Sequence, residues 1–198
     1  MPRSAREPAS DFEVVVGWLA VVWGAFIIDV ILRATCKVEI AWVLGVRPRT
    51  PEGLLGILFA PFLHASLEHL LANSIGLLLL GMISCSYGRR LTGIAVIYGM
   101  VLSGATAWIW GLPGSVHIGA SGVVFALIGF LLANGLFRRG LMPIIIALVT
   151  LALYGAALVT MQPVQPGASV HQLSWEMHLG GFIGGVIASW RLRHRRVR

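Results

Sequence analysis

Three short stretches carry residues that could do chemistry: His69-Leu70-Leu71-Ala72-Asn73, Gly119-Ala120-Ser121-Gly122 and His178-Leu179-Gly180-Gly181. Each opens an apolar segment. A serine hydroxyl is a weak nucleophile until a base takes its proton, and histidine is the usual base. Ser121 at a helix start would have unpaired backbone N–H groups and the positive end of the helix dipole beside it, both favourable to a developing oxyanion. His69 and Asn73, at i and i+4, fall on one helix face and both can donate hydrogen bonds. Two readings of that pair stay open: a hydrogen bond between helices, or oxyanion donors beside Ser121. Polar and ionisable residues inside membrane segments are costly and usually face a bundle interior or a wet cavity. The three stretches together point to a serine hydrolase site within a membrane protein.

The elements that must hold these residues follow from composition. The 198 residues are 57% hydrophobic and only 12% charged, with a mean hydropathy of +0.85. That composition lies outside the soluble globular range and predicts a polytopic membrane protein. Six spans are expected, with boundaries at Val14–Leu32, Leu67–Cys85, Leu91–Trp110, Ala120–Phe137, Leu141–Thr160 and Met177–Trp190. The last is short for a full crossing. The first follows Arg3 and Arg6 but is long for a signal peptide and lacks a small-x-small cleavage site, so it reads as a retained helix. The segment from Arg33 to Ser66 is too long for a simple connector; within it, Gly53 to Leu63 reads as a re-entrant or interface-lying helix.

Charge sets the orientation. With the N-terminus inside, eleven Lys and Arg residues fall on the cytoplasmic side and four (Arg33, Lys37, Arg47, Arg49) fall outside, all in the first loop. That bias places both termini in the cytoplasm: residues 1–13 as one tail and 191–198, with Arg191, Arg193, Arg195, Arg196 and Arg198, as a basic one. The net charge of +7 is therefore topology rather than a nucleic-acid footprint. By parity, the second, fourth and sixth spans all run inward, so the N-terminal ends that carry His69 and Asn73, Ser121 and His178 share one face of the membrane. Gly181 and Gly185 form a GxxxG pair on the face His178 begins, and small residues follow Ser121, which permits close helix approach. Asp29 and Arg33, at i and i+4, predict an ion pair at the outer end of the first span. Cys36 and Cys85 lie at opposite membrane faces and are not expected to pair.

With these motifs in order, the chain resembles the rhomboid intramembrane serine proteases. Gly119-Ala120-Ser121-Gly122 matches the family's GASG motif, and His178 with Gly181 and Gly185 matches its H-x-x-G-x-x-x-G motif. His64 to Asn73 matches its H-x-x-x-x-H-x-x-x-N pattern. The resemblance runs from about Gly53 to Trp190. It implies an all-α, six-transmembrane-helix bundle with a long first loop, forming a single membrane domain over residues 1–198. It implies a Ser121–His178 dyad that opens outward, an oxyanion hole from His69, Asn73 and backbone N–H groups, and Phe125 stacked on His178. The fifth helix and the loop from Met161 to Glu176 correspond to the family's substrate gate and cap. The family's frequent Trp-Arg pair in the first loop is replaced here by Leu55-Gly56.

The implied partners are transmembrane protein substrates and the lipid bilayer of a bacterial plasma membrane, with no nucleic acid, cofactor or metal. His64 is expected as a structural hydrogen bonder, and His117 and His171 as solvated loop residues. Glu176, two residues before His178, points elsewhere on a helix and is not a triad acid. Two other function classes compete. A catalytically silent rhomboid-like protein would bind or escort membrane helices, and loss of the serine or histidine would mark it. A transporter would line several spans with charge, which this chain lacks.

Overall fold

The computed structural model describes residues 10–163 and 174–194. Eight α-helices follow in order: α1 (Asp11–Cys36), α2 (Ile40–Leu44), α3 (Gly56–Phe59), α4 (Leu67–Cys85), α5 (Arg89–Trp110), α6 (Ser121–Phe137), α7 (Leu141–Tyr154) and α8 (Trp175–Leu192). Among the described residues there is no strand. The protein is an all-helical integral membrane protein, and four segments are long and apolar enough to cross a bilayer: Asp11–Cys36, Leu67–Cys85, Arg89–Trp110 and Leu141–Met161. The expected fourth and sixth spans fall short of that standard. At 17 residues α6 is too short, and α8 carries Glu176, His178, Arg191 and a run of glycines in its 18 residues.

Helix starts are written in the sequence as caps. Ser10 and Glu13 close a capping box on α1, Ser66 accepts from the His69 N–H at the start of α4, and Ser174 accepts from the Met177 N–H at the start of α8. Gly88 and Gly140, at φ of 108° and 126°, supply the left-handed turns that precede α5 and α7. Pro143 sits in the first turn of α7, where its missing N–H costs no bond. After Tyr154 that helix tightens into a 3₁₀ segment, Gly155–Met161, so the expected fifth span is one regular helix for only two-thirds of its course. The expected sixth span is longer than its apolar core, because the Ser174 cap starts α8 two residues before Met177.

At the centre of the bundle lies α6, packed by α4, α5, α7 and α8 and buried along nearly its whole length. Phe130, Leu127, Ile128 and Leu131 are fully enclosed. The densest packing is of α8 on α6 and α5, and glycines make it possible. A Cβ on Gly181 would collide with the carbonyl of Gly122, and one on Gly185 with the carbonyl of Ala126. Against α4, α1 lays a stripe of Val15, Val22 and Asp29, seven residues apart, and Trp23 Nε1 donates to Ser74 Oγ at 3.1 Å. Asp29 does pair with Arg33, at 2.6 Å. The rest of α1 presents large apolar side chains outward, as a lipid-facing helix does.

The first loop packs as a structure of its own. Within it, α3 stands between the 3₁₀ turns Glu52–Leu54 and Ala60–Phe62, which matches the short helical segment expected there. Arg49 donates to the carbonyls of Ile109 (2.7 Å) and Gly111 (2.9 Å), and Trp108 Nε1 donates to Thr50 O at 2.8 Å. These bonds anchor the loop to the end of α5, where Leu55-Gly56 supplies no charged or aromatic group. Cys36 is exposed, Cys85 is buried, and both are free.

Candidate active site

The first turns of α4, α6 and α8 converge. Between the first two stands Gly119, at φ 122°, packed directly against His69. A Cβ there would sit 2.5 Å from His69 Cε1, 2.7 Å from His69 Nε2 and 3.6 Å from Asn73 Nδ2. Both conformation and space therefore demand glycine two residues before Ser121. His69 and Asn73 face this loop together, as their i, i+4 spacing requires. His64 packs edge-on against His69 at 5.1 Å between ring centroids and accepts from the Ala120 N–H at 3.4 Å. The expectation of a structural hydrogen bonder holds. Burial, reinforced by the neighbouring His69, pushes His64 down to about 4. It is thus neutral at pH 7, and Nε2 is free to accept.

Several hydrogen-bond donors near Ser121 are uncommitted. Asn73 is 5% exposed, yet its Nδ2 has no partner among the described residues. The backbone N–H groups of Ser121 and Gly122 likewise donate to no described group, because α6 begins at Ser121 and its first bonded amide is that of Val123. Buried amide donors are ordinarily satisfied. Open donors on Asn73, which faces Gly119, and at the start of α6 are an arrangement suited to an anion.

His178 is buried on the facing helix. Its ring lies flat on Phe125, one turn beyond Ser121, with centroids 4.2 Å apart and planes at 10°. The stack implied by the family resemblance is present. Nδ1 of His178 meets Thr160 Oγ1 at 2.8 Å and Thr160 O at 3.3 Å. The Gly122–Gly181 contact brings the two helix starts together. A direct Ser121–His178 hydrogen bond does not form among the described residues, contrary to the reach expected from the small-residue faces. Such bonds are often long in unliganded sites and tighten with substrate.

Sequence reasoning missed two features here. Thr160, at the end of the 3₁₀ segment, gives no signal, since a threonine in an apolar span is ordinary. The second is a polar chain between the segment before α6 and the start of α8. His117 Nε2 meets Ser115 Oγ at 2.9 Å, His117 Nδ1 meets Ser174 Oγ at 2.7 Å, and Ser174 Oγ donates to Glu176 Oε2 at 3.1 Å. His117 also bridges to Val46 through paired backbone bonds. The expectation that it is a solvated loop residue is corrected: these partners and the apposed first loop leave it half-buried and hydrogen-bonded at both ring nitrogens. Burial lowers its pKa and the Glu176 carboxylate opposes that shift. Glu176 faces this chain, in keeping with its exclusion as a triad acid. His171, most of the expected cap, Arg3, Arg6 and the tail arginines from 195 on lie outside the described residues. No three described His, Cys, Asp or Glu side chains stand close enough to hold a metal ion.

Comparison with known proteins adds a family. A family model described as Rhomboid domain matches residues 51–195. An uncharacterized protein of Mycobacterium tuberculosis is 42% identical over 159 residues, covering 76% of this chain and 64% of the relative. One from Mycobacterium leprae is 39% identical over 155 residues, covering 75% and 60%. The chain thus spans less than two-thirds of the length of these relatives.

Proposed function

The chain belongs to the rhomboid family, and from that premise we propose that it is an intramembrane serine endopeptidase acting on transmembrane segments through Ser121 and His178. The observation that carries this reading is the group of unpartnered donors, Asn73 Nδ2 with the Ser121 and Gly122 N–H groups, beside a serine whose helix packs face to face with a histidine. His178 takes the Ser121 proton as Oγ attacks the scissile carbonyl. The negative oxygen that forms settles among Asn73, His69 and the two backbone amides. His178 returns the proton to the leaving amine, and water releases the acyl group by the same steps in reverse.

In this reading the chain is one membrane domain that crosses six times, with both termini in the cytoplasm of a bacterial cell. The four long spans shelter α6 and α8, which would be marginal alone. Substrates are single-span proteins whose outer end is weakened by Gly or Pro. A stable helix hides its carbonyls in internal bonds, and lipid offers no replacement for them.

A second reading, a silent rhomboid-like protein that binds membrane helices, draws on the missing Ser121–His178 bond. A serine-directed fluorophosphonate separates the two. The purified protein should be labelled at Ser121, and Ser121→Ala and His178→Ala should each abolish cleavage of a single-span reporter, with the double variant little worse. Unimpaired cleavage by Ser121→Ala would overturn the dyad, and a wild-type protein neither labelled nor active would favour the silent binder.

A further inference from the structure

We propose that Thr160 is a positioning residue that fixes the tautomer of His178, leaving the Nε2 lone pair to receive the Ser121 proton. The inference rests on the dyad reading above and extends it to a residue on another element. Counting hydrogens carries the argument. Thr160 Oγ1 lies 2.7 Å from the Ala157 carbonyl and 2.8 Å from His178 Nδ1. A carbonyl only accepts, so the single hydroxyl hydrogen goes to Ala157 O, and toward His178 the same oxygen is an acceptor. The donor is then Nδ1–H.

The Thr160 carbonyl gives the same answer independently. It lies 3.3 Å from Nδ1 and has no hydrogen to give. Both oxygens of one residue therefore place the ring proton on Nδ1, and a neutral imidazole protonated there carries its lone pair on Nε2. Phe125 fixes the plane of the ring, and Thr160 fixes its rotation within that plane.

In a Ser-His-Asp triad a buried carboxylate does this work, and losing the correct tautomer is costly. Here the nearest acid in sequence, Glu176, is engaged by Ser174 instead. Thr160 supplies the orientation without the charge. It does so from the 3₁₀ segment that continues α7, not from either helix of the dyad. The ring's protonation pattern consequently depends on where that segment sits.

The test compares Thr160→Val, which keeps the side-chain shape and removes the hydroxyl acceptor, with Thr160→Ser, which restores it. With a single-span reporter carrying glycines at the outer end of its span, Thr160→Val should lower kcat about 10-fold with KM within about twofold of wild type. Thr160→Ser should stay within about twofold in both. In protein labelled with ¹⁵N-histidine, the His178 signals, assigned by their loss in His178→Ala, should show the Nδ1-protonated form in wild type and Thr160→Ser, and a mixture of tautomers in Thr160→Val. There the shorter acceptor is gone, and only the 3.3 Å contact to the residue's carbonyl still favours Nδ1–H. Wild-type kcat with unchanged signals in Thr160→Val overturns the proposal. So does a Thr160→Ser variant as slow as Thr160→Val, which would assign the residue to packing. The nitrogen spectrum requires no turnover, so it judges Thr160 even if fluorophosphonate labelling at Ser121 fails and the dyad reading with it.

Discussion

At the residue scale, the site is a problem of unmatched donors. Asn73 keeps a buried amide without a partner among the described residues, which ordinarily costs stability and is retained where a transient acceptor is expected. Asn73→Ala should lower kcat by about 10²-fold or less, because His69 and two backbone amides remain. It should leave thermal stability in detergent unchanged or slightly higher. A variant that melts early but turns over normally would show instead that Asn73 ties helices together, the other reading its spacing allowed. Ser121, His178, His69 and Asn73 were recognisable in the sequence as candidates because each sits at a fixed offset from glycines or from one another within a single helix. Thr160 and His117 were not. Their partners lie 18 and 57 residues away on other elements, and no local spacing encodes such a meeting.

At the scale of elements, the decisive contact is the one between α6 and α8. Gly185 has the Ala126 carbonyl and the Phe130 amide where a Cβ would go, whereas Gly93 on α5 has open space. Gly185→Ala should therefore force the helices apart, destabilising the protein by about 1–3 kcal/mol and reducing cleavage along with it. Gly93→Ala should be neutral or slightly stabilising. Differential scanning fluorimetry in detergent, run beside the reporter assay, checks both. Equal melting temperatures for the two variants would mean that the helices do not meet at these glycines. Helix order and the small-residue faces could be read from the chain in advance. The break at Gly155 and the true length of α8 could not, since apolar runs mark what lipid tolerates and not where regular hydrogen bonding stops.

At the scale of the whole molecule, the proposed orientation, drawn from the positive-inside bias, puts the end of α1 and the starts of α4, α6 and α8 at the outer face. Two native cysteines report on this. Cys36 is exposed at the end of α1 and Cys85 is buried at the end of α4. A membrane-impermeant maleimide added to intact cells should label the protein, and Cys36→Ser should remove that labelling. If labelling appears only after the cells are opened, the orientation is the reverse and the site faces the cytoplasm. The described bundle also bears on how such a protein is made. As a segment emerging from the ribosome, α8 is a poor candidate for the bilayer: it is too rich in glycine, and it bears a glutamate, a histidine and an arginine. Its seat exists only where α5 and α6 already stand, and both precede it in the chain. In the proposed mechanism the base is thus delivered after the serine it serves, which would keep the nascent protein inert until its own wall is complete.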